Sequence, residues 1–319
     1  MGPAHADPVV ILPRIFAGTV VAQPPLKVAA CDCVEYTALQ APLILSRSSG
    51  MDRLNPDFDR IPKDHNLVSR RDSSRKAALA FVHIPKTAGT WFTSFLVQHF
   101  TQDEIAPPLY SSPESTDFSA PSKRLFAGHF RFIAINTKRP MRLLTFLRDP
   151  FQRTASHYRT WHQKENFSEA WRATASEQVT EAVEWVQRSS YEEFVRSDSP
   201  IVQSCIRDAQ TNFLTSCPDQ SQPEYLRSAL RNLEKKFFFV GLQEFSAESI
   251  QLFNYQTGSM SEPELAVYNV SEPCDLALSA AGRERLLELL QNDLVIYQAG
   301  LRLFERRLAE MSRRLKKIA

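Results

Sequence analysis

The segment from Phe81 to Trp91, Phe-Val-His-Ile-Pro-Lys-Thr-Ala-Gly-Thr-Trp, constrains the fold more than any other part of the chain. Residues 79–84 are mostly apolar and rich in strand formers, and Pro85 ends that run. Apolar residues then recur at helical spacing. A turn of small residues between a strand and a helix directs backbone N–H groups and the positive end of the helix dipole toward one point. The pattern therefore predicts an anion-binding turn at residues 86–90.

The lysine of this turn stands before the small residues. In the phosphate loop of nucleoside-triphosphate-binding proteins, the lysine follows the glycines and a Ser or Thr hydroxyl binds magnesium. Here Lys86 precedes Thr87, Ala88, Gly89 and Thr90. An ordinary strand-to-helix connection is the alternative for this turn when it is considered alone.

A second strand-to-helix pattern follows at residues 143–158, Leu-Leu-Thr-Phe-Leu-Arg-Asp-Pro-Phe-Gln-Arg-Thr-Ala-Ser-His-Tyr. Arg148 ends the apolar strand, with Asp149 as N-cap and Pro150 in the first turn of the predicted helix. Ser156 lies about two helical turns farther on. An arginine fork with a hydroxyl suits a phosphate monoester. The alternative is a local ion pair that caps the helix.

The two motifs, in this order, resemble those of sulfotransferases. Pro85 to Trp91 is similar to the 5′-phosphosulfate loop Pro-Lys-Ser-Gly-Thr-Thr-Trp of the cytosolic members. The form His-Ile-Pro-Lys-Thr-Ala-Gly-Thr resembles the Golgi carbohydrate sulfotransferases, including the heparan sulfate 2-O-sulfotransferase group of sulfotransferase family 2. Residues 148–158 resemble the 3′-phosphate site of the same enzymes. The resemblance covers roughly residues 78–304.

This resemblance implies a sulfuryl donor, 3′-phosphoadenosine 5′-phosphosulfate (PAPS), and an enzyme that transfers its sulfuryl group to a hydroxyl. Lys86 would neutralise charge on the leaving phosphate oxygen, and Arg148 would bind the 3′-phosphate with Ser156. Val267-Tyr-Asn-Val-Ser271 resembles a segment near the nucleotide. The implied donor-binding residues are Lys86, Thr87, Ala88, Gly89, Thr90, Trp91, Arg148, Ser156 and Ser271.

His129 is the candidate catalytic base. It follows Gly128 and lies nineteen residues before Arg148, where the heparan sulfate 2-O-sulfotransferase group carries a Gly-His pair that holds its base. An imidazole that titrates near neutrality can accept the proton of an attacking hydroxyl. A structural role is the alternative for this histidine.

Residues 209–214 resemble a stretch that often reads Gln-Thr-Arg in bacterial relatives of the family. Asn212 replaces that arginine, so no acceptor or donor contact is carried over to it.

Composition agrees with one enzyme-sized domain. A chain of 319 residues with 43% hydrophobic content can bury a large core. Alternating strand and helix patterns predict an α/β fold with a parallel sheet flanked by helices, and the resemblance implies the P-loop-like sulfotransferase form. The segment at residues 235–245 has an apolar core bounded by Gly241 and is predicted to form a central parallel strand. Residues 165–198 are predicted to form helices that cover an acceptor cleft or serve as a packing face, and residues 280–317 are strongly helical.

The predicted acceptor is a carbohydrate, glycan or glycolipid, whose identity the sequence does not reveal. A net charge of +2 gives no support for nucleic acid binding. An acidic glycan would need local basic residues, for which the candidates are Arg131, Lys138, Arg139, Arg142, Arg153 and Arg159. The oligomeric state is left open.

Residues 1–75 hold Pro-rich and apolar pieces without a sustained period, so we expect an irregular or flexible extension before a sulfotransferase domain at residues 76–319. No run of 18 or more apolar residues occurs, which predicts no transmembrane segment. With a poor signal-peptide pattern, the expected location is cytoplasmic. The Golgi lumen or a membrane-associated location is the alternative if the N-terminus is incomplete.

Five cysteines form no Cys-x-x-Cys pair and no zinc spacing, and transfer from PAPS needs no metal, so no metal site is predicted. Reduced thiols are favoured, while a Cys205–Cys217 disulfide in an oxidising compartment stays open. A nucleotide or small-molecule kinase is a rival function, although the Gly-Lys-Ser/Thr loop and magnesium carboxylate it needs are not visible. A noncatalytic nucleotide-binding relative is the second rival, and Lys86, His129 and Arg148 speak against it.

Overall fold

The computed structural model describes residues 77–107, 116–258 and 274–318. The predicted extension at residues 1–75 and the candidate donor contact Ser271 lie outside the described residues.

One parallel sheet forms the centre of the described fold. Its four strands are β1 (Ala78–Val82), β2 (Leu125–Gly128), β3 (Met141–Leu147) and β4 (Phe237–Leu242), in the order β2-β1-β3-β4. All three pairings are parallel, and the register shifts between Leu143 and Leu144 where β3 meets β4. The strands are nearly continuous apolar runs because helices cover both faces. The predicted α/β class is confirmed.

Eleven α-helices lie within the described ranges. They are α1 (Gly89–Val97), α2 (Pro150–His162), α3 (Glu169–Thr174), α4 (Glu177–Val186), α5 (Tyr191–Arg196), α6 (Pro200–Ile206), α7 (Ala209–Leu214), α8 (Glu224–Lys235), α9 (Ser246–Thr257), α10 (Ala280–Leu289) and α11 (Gln291–Ile318). Four 3₁₀ turns add Gln102–Glu104, Phe132–Ala134, Lys164–Asn166 and Gln243–Phe245. None of the described helices is both long and apolar enough to cross a membrane.

The sequence predicts that β4 is a central strand, which is wrong for the described strands. It lies at the end of their order, next to β3. Helices α8, α9 and α11 pack against it, which explains its apolar sequence. The Arg307 guanidinium of α11 also donates to the Phe237 carbonyl at 2.9 Å, and so satisfies one backbone acceptor of the strand.

An aromatic cluster joins the sheet to α1 and α9. The Phe92 ring packs against those of Phe146, Phe239 and Phe253, with centroid separations of 4.8, 5.7 and 5.3 Å. A side chain at Gly241 would place its Cβ 2.6 Å from the Phe146 ring, so this packing requires glycine in β4. The cluster fixes the first turn of α1 relative to β3.

A second buried cluster lies away from the sheet, where α2, α5, α6 and α10 meet. Tyr158, Tyr191 and Phe194 are its buried aromatic residues. The predicted helices of residues 165–198 thus provide packing surface here, while Trp185 of α4 is 37% exposed. This cluster holds α2 in place, and α2 carries several of the candidate site residues.

Candidate functional site

The candidate residues come together because three neighbouring parallel strands end at one edge of the sheet. Residues 83–90 follow β1, His129 follows β2, and Arg148 follows β3. In the order β2-β1-β3, the turn after β1 is the middle one. Ligand sites of open α/β sheets lie at this carboxyl edge.

The turn after β1 has an unusual backbone. Lys86 and Ala88 have φ values of 71° and 66°, in the left-handed region that costs energy for residues other than glycine. The Thr87 hydroxyl donates to the Ile84 carbonyl at 2.9 Å, which stabilises the turn from within. Helix α1 starts at Gly89 with no side-chain cap on its N-terminal N–H groups. N–H groups of this kind at a helix N-terminus are suited to binding an anion.

Gly89 is required for a steric reason. A Cβ at this position would lie 1.8 Å from Cδ2 of His83, a contact that no side chain can make. The His83 imidazole is 5% exposed and stacks on the Phe81 ring at 5.6 Å. The ring therefore rests directly against the first residue of α1.

His83 also fixes His129. The carbonyl oxygen of His83 lies 2.8 Å from Nδ1 of His129, and the two ring centroids are 4.2 Å apart. A carbonyl oxygen only accepts hydrogen bonds, so Nδ1 carries the hydrogen and Nε2 of the neutral ring is the nitrogen that can accept a proton. Burial lowers the pKa of His129, the bond to the His83 carbonyl opposes that shift, and the charge of Lys86 adds to it. The ring is thus held as a neutral base.

Positive charge gathers at the same edge. The Arg148 guanidinium donates from Nη1 to the Lys86 carbonyl at 3.2 Å. Burial, together with the charges of Arg148 and Arg153, lowers the pKa of Lys86 to about 8. None of the ion pairs in the described part of the chain involves these three residues. Such a cluster favours an anionic ligand.

Residues 71–298, more than two thirds of the chain, match the sequence profile of sulfotransferase family 2. The chain belongs to this family. A comparison with curated proteins finds no significant match. Membership makes the protein a transferase that moves a sulfuryl group to an acceptor.

The second sulfotransferase motif begins α2 as the sequence predicts. Asp149 accepts a hydrogen bond from the Gln152 N–H at 2.9 Å, and Pro150 is the first helical residue. The peptide at Arg148 is held on both sides by Gln210, whose side chain accepts from the Arg148 N–H at 3.0 Å and donates to its carbonyl at 2.8 Å. Glu244 accepts from the Asp149 N–H at 2.7 Å. These contacts fix the direction in which Arg148 leaves the sheet.

Gln210 is placed by a reciprocal pair of aspartates. Asp293 accepts hydrogen bonds from the N–H groups of Gln210 and Thr211 at the start of α7, at 3.0 and 2.7 Å. Asp208 accepts from the Asn292 and Asp293 N–H groups at the start of α11, at 3.0 and 3.3 Å. Asp293, a residue of α11, therefore caps the start of α7, and Asp208, the residue just before α7, caps the start of α11. Burial raises the pKa of Asp208 to about 6 and also raises the pKa of Asp293.

Two further candidates lie differently from the turn residues. Trp91 is 8% exposed and meets the Phe146 ring edge-on at 6.3 Å, so its side chain belongs to the core. Ser156 is half-buried on α2, about two turns beyond Arg148.

Arg153 is not the acceptor-binding surface residue that the sequence suggests. It is 0% exposed, and its Nη2 donates to the Cys205 carbonyl at 2.7 Å in the last turn of α6. Arg139 donates to the Ala120 carbonyl, and Arg142 lies 4.7 Å from the Phe238 ring centre. Arg131 is exposed and donates to the Asn212 side chain at 3.2 Å.

Cys205, Cys217 and Cys274 are free thiols. Within residues 77–107, 116–258 and 274–318, no group of three or more His, Cys, Asp or Glu side chains could hold a metal ion.

Proposed function

We propose that the protein transfers the sulfuryl group of PAPS to a hydroxyl of a carbohydrate, glycan or glycolipid acceptor. The observation that carries the proposal is the 2.8 Å hydrogen bond from His129 Nδ1 to the His83 carbonyl. It places a neutral imidazole of defined tautomer beside an anion-binding turn. A base next to such a turn is what an attack by a hydroxyl on a bound sulfuryl donor requires.

The chain's own residues fit this donor. PAPS is polyanionic, and the site offers the Lys86 and Arg148 charges without a carboxylate in ion-pair contact among the described residues. The uncapped N–H groups at residues 87–90 suit the 5′-phosphosulfate. Arg148 suits the 3′-phosphate, and Ser156 supplies a hydroxyl from α2, the helix that follows Arg148.

When bound, PAPS supplies a sulfuryl group whose S–O bond to phosphate breaks as the acceptor oxygen bonds sulfur. His129 takes the hydroxyl proton at Nε2 and becomes an imidazolium, stabilised by the hydrogen bond from Nδ1 to the His83 carbonyl. Lys86 neutralises the charge that develops on the leaving phosphate oxygen. Arg148 holds the nucleotide in one position, so that the turn after β1 and His129 both act at the sulfuryl group.

A carbohydrate acceptor is supported by the residues beyond the base. Arg131 follows His129 by two residues, is exposed, and is oriented by Asn212. A guanidinium beside the reacting hydroxyl suits an acidic glycan, which it would bind through a carboxylate or sulfate.

The test is incubation of the full chain with radiolabelled PAPS and a panel of neutral glycans, acidic glycans and glycolipids. Label should pass to at least one of these acceptors, and the transfer should continue in EDTA, because the proposed step uses a histidine base and a lysine charge and no metal. Transfer to none of the acceptors, or an absolute need for magnesium, would contradict the proposal. As an independent binding assay, adenosine 3′,5′-bisphosphate should raise the melting temperature more than adenosine 5′-phosphate does.

A further inference from the structure

The amino edge of the sheet, opposite the candidate site, carries a concentration of positive charge. The Arg124 and Pro140 carbonyls accept hydrogen bonds from the first N–H groups of β1, at 2.8 and 3.3 Å, so the segments before β2 and β3 lie on either side of it. Neighbouring strands are about 4.8 Å apart, and the four strand ends therefore span about 15 Å. A pair of basic residues stands just before each of β2, β3 and β4: Lys123-Arg124, Lys138-Arg139 and Lys235-Lys236.

Helix α11 brings further basic residues to the same edge. A Cβ on Gly300 would lie 2.3 Å from the side chain of Leu147, at the end of β3. Farther along the helix, Arg307 donates to the carbonyl of Phe237, the first residue of β4, at 2.9 Å. The helix thus runs from the carboxyl edge toward the amino edge, and residues 313–317, about 9–15 Å beyond Arg307 at the helical rise, extend past the start of β4. These last turns carry Arg313, Arg314, Lys316 and Lys317.

Ion pairs within the described chain offset only part of this charge. The pairs in this region are Glu104–Arg124, Glu310–Arg313, Glu310–Arg314 and Glu234–Arg306. The other basic residues of the edge take part in no ion pair among the described residues; they are Lys123, Lys138, Arg139, Lys235, Lys236, Lys316 and Lys317. The whole chain has a net charge of only +2, so the positive charge of this edge is a local concentration.

We propose that the amino edge binds a membrane surface that exposes anionic lipid headgroups. Basic side chains spread over three strand ends and a helix end suit a broad anionic surface, to which each nearby Lys or Arg adds attraction. An acidic glycan bound at this edge would lie on the opposite side of the sheet from His129, so acceptor binding does not explain the charge. A membrane bound here leaves the carboxyl edge facing away from it. The inference does not depend on the proposed function.

The test is co-sedimentation of the full chain with lipid vesicles. The protein should bind vesicles made of equal parts phosphatidylserine and phosphatidylcholine, and should not bind vesicles of phosphatidylcholine alone. Raising the salt concentration from about 0.1 to about 1 M shortens the Debye length from about 10 to about 3 Å and should release the protein.

The decisive variant replaces four exposed lysines of the edge, Lys235→Gln, Lys236→Gln, Lys316→Gln and Lys317→Gln. Partitioning onto the mixed vesicles should fall about 10²-fold or more, since each charge near the surface contributes about fivefold. The melting temperature should not change, because these side chains have no ion pair in the described chain to lose. Arginine at the same four positions keeps the charge and should keep the binding.

The matched control removes the same number of charges from another part of the molecule. Exposed basic residues on or next to the helices around the second buried cluster serve this purpose, as Lys164→Gln, Arg188→Gln, Arg196→Gln and Arg283→Gln. Net charge then falls equally in the two variants, and only the position of the lost charges differs. Vesicle binding should fall far less in the control.

Undiminished vesicle binding in the edge variant would overturn the inference. An equal loss in the two variants would show that net charge and not the amino edge decides binding, and would also overturn it. The same holds for equal binding to both kinds of vesicle, or for binding that high salt does not weaken. Retention on immobilised heparin without binding to either vesicle would assign the edge to an acidic glycan instead.

Discussion

The turns after β1 and β3 both lead from a parallel strand into a helix, yet they use their backbone N–H groups in opposite ways. At the second turn, the protein satisfies these groups itself, because Asp149 caps α2 and Pro150 removes one donor. At the first turn, two non-glycine residues have positive φ, and α1 has no side-chain cap. The strained turn is therefore the one with unused donors.

This difference assigns separate tasks to the two turns. The first turn provides backbone donors, a lysine and, through the His83 carbonyl, the orientation of the base. The second turn positions one side chain, that of Arg148. Hydrogen bonds to Gln210 and Glu244 hold the backbone of this turn. Chemistry should depend on the first turn, and recognition of the nucleotide on the second.

The largest expected effect separates chemistry from binding at the first turn. His129→Ala should reduce sulfuryl transfer by about 10²–10⁴-fold, the usual contribution of a positioned acid–base group. Affinity for adenosine 3′,5′-bisphosphate should stay nearly unchanged, because in the proposed reaction His129 acts on the acceptor hydroxyl and not on the nucleotide. Single-turnover rates and calorimetry measure the two quantities. Retention of more than about a tenth of the wild-type rate would mean that another group takes the proton.

Gly89→Ala tests whether the first turn depends on the His83 ring. The added Cβ would collide with that ring, so the turn must shift, and overpacking of this kind costs about 1–3 kcal/mol. Nucleotide affinity should fall by up to about 10²-fold. Because Gly89 does not have positive φ, the double variant His83→Ala/Gly89→Ala should bind better than Gly89→Ala alone. A double variant no better than the single one would show that the His83 contact is not the cause.

Arg148→Ala tests the second turn. The loss of a charged donor to phosphate costs about 2 kcal/mol, so affinity for adenosine 3′,5′-bisphosphate should fall about 30-fold. Adenosine 5′-phosphate should be affected far less, which removes most of the preference between the two nucleotides. Equal losses of affinity for the two nucleotides would mean that Arg148 binds the 5′-phosphate, and would contradict the assignment of separate tasks to the two turns. Arg139→Ala is the control, since its guanidinium donates to the Ala120 carbonyl.

The pH dependence of nucleotide binding should also show that Lys86 of the first turn takes part in it. Lys86 has a pKa of about 8 in the free protein, and a bound anion favours its protonated form and so raises that pKa. Affinity for the bisphosphate should therefore be full below pH 8 and fall by up to about tenfold per pH unit above it. Lys86→Arg should abolish this alkaline decline, since arginine stays charged. The decline of kcat/KM at acid pH should lie below the usual imidazole range, because the pKa of His129 is lowered, and its decline at alkaline pH should follow Lys86.

The local parts of this arrangement could be predicted from sequence, because strand, turn and cap are encoded by adjacent residues. The cap formed by Asp149 and the first-turn Pro150 are confirmed at the predicted positions. The support of Arg148 by Gln210 and Glu244 could not be predicted, since both lie far along the chain and nothing in their local sequence identifies them. The prediction for Arg153 failed for a related reason. Its charge predicts a position on the surface, but its side chain is buried and donates a hydrogen bond to the Cys205 carbonyl of α6.

The smallest expected effect should be one of stability. Asp149→Ala removes the side-chain cap of α2, which typically costs about 1 kcal/mol of unfolding free energy. Since Gln210 and Glu244 still hold the adjacent backbone, Arg148 should keep its orientation and nucleotide affinity should change little. Urea unfolding and calorimetry together test this pair of outcomes. A large loss of affinity with unchanged stability would show that Asp149 orients Arg148 directly. The second turn would then contribute to nucleotide binding through Asp149 as well as through Arg148.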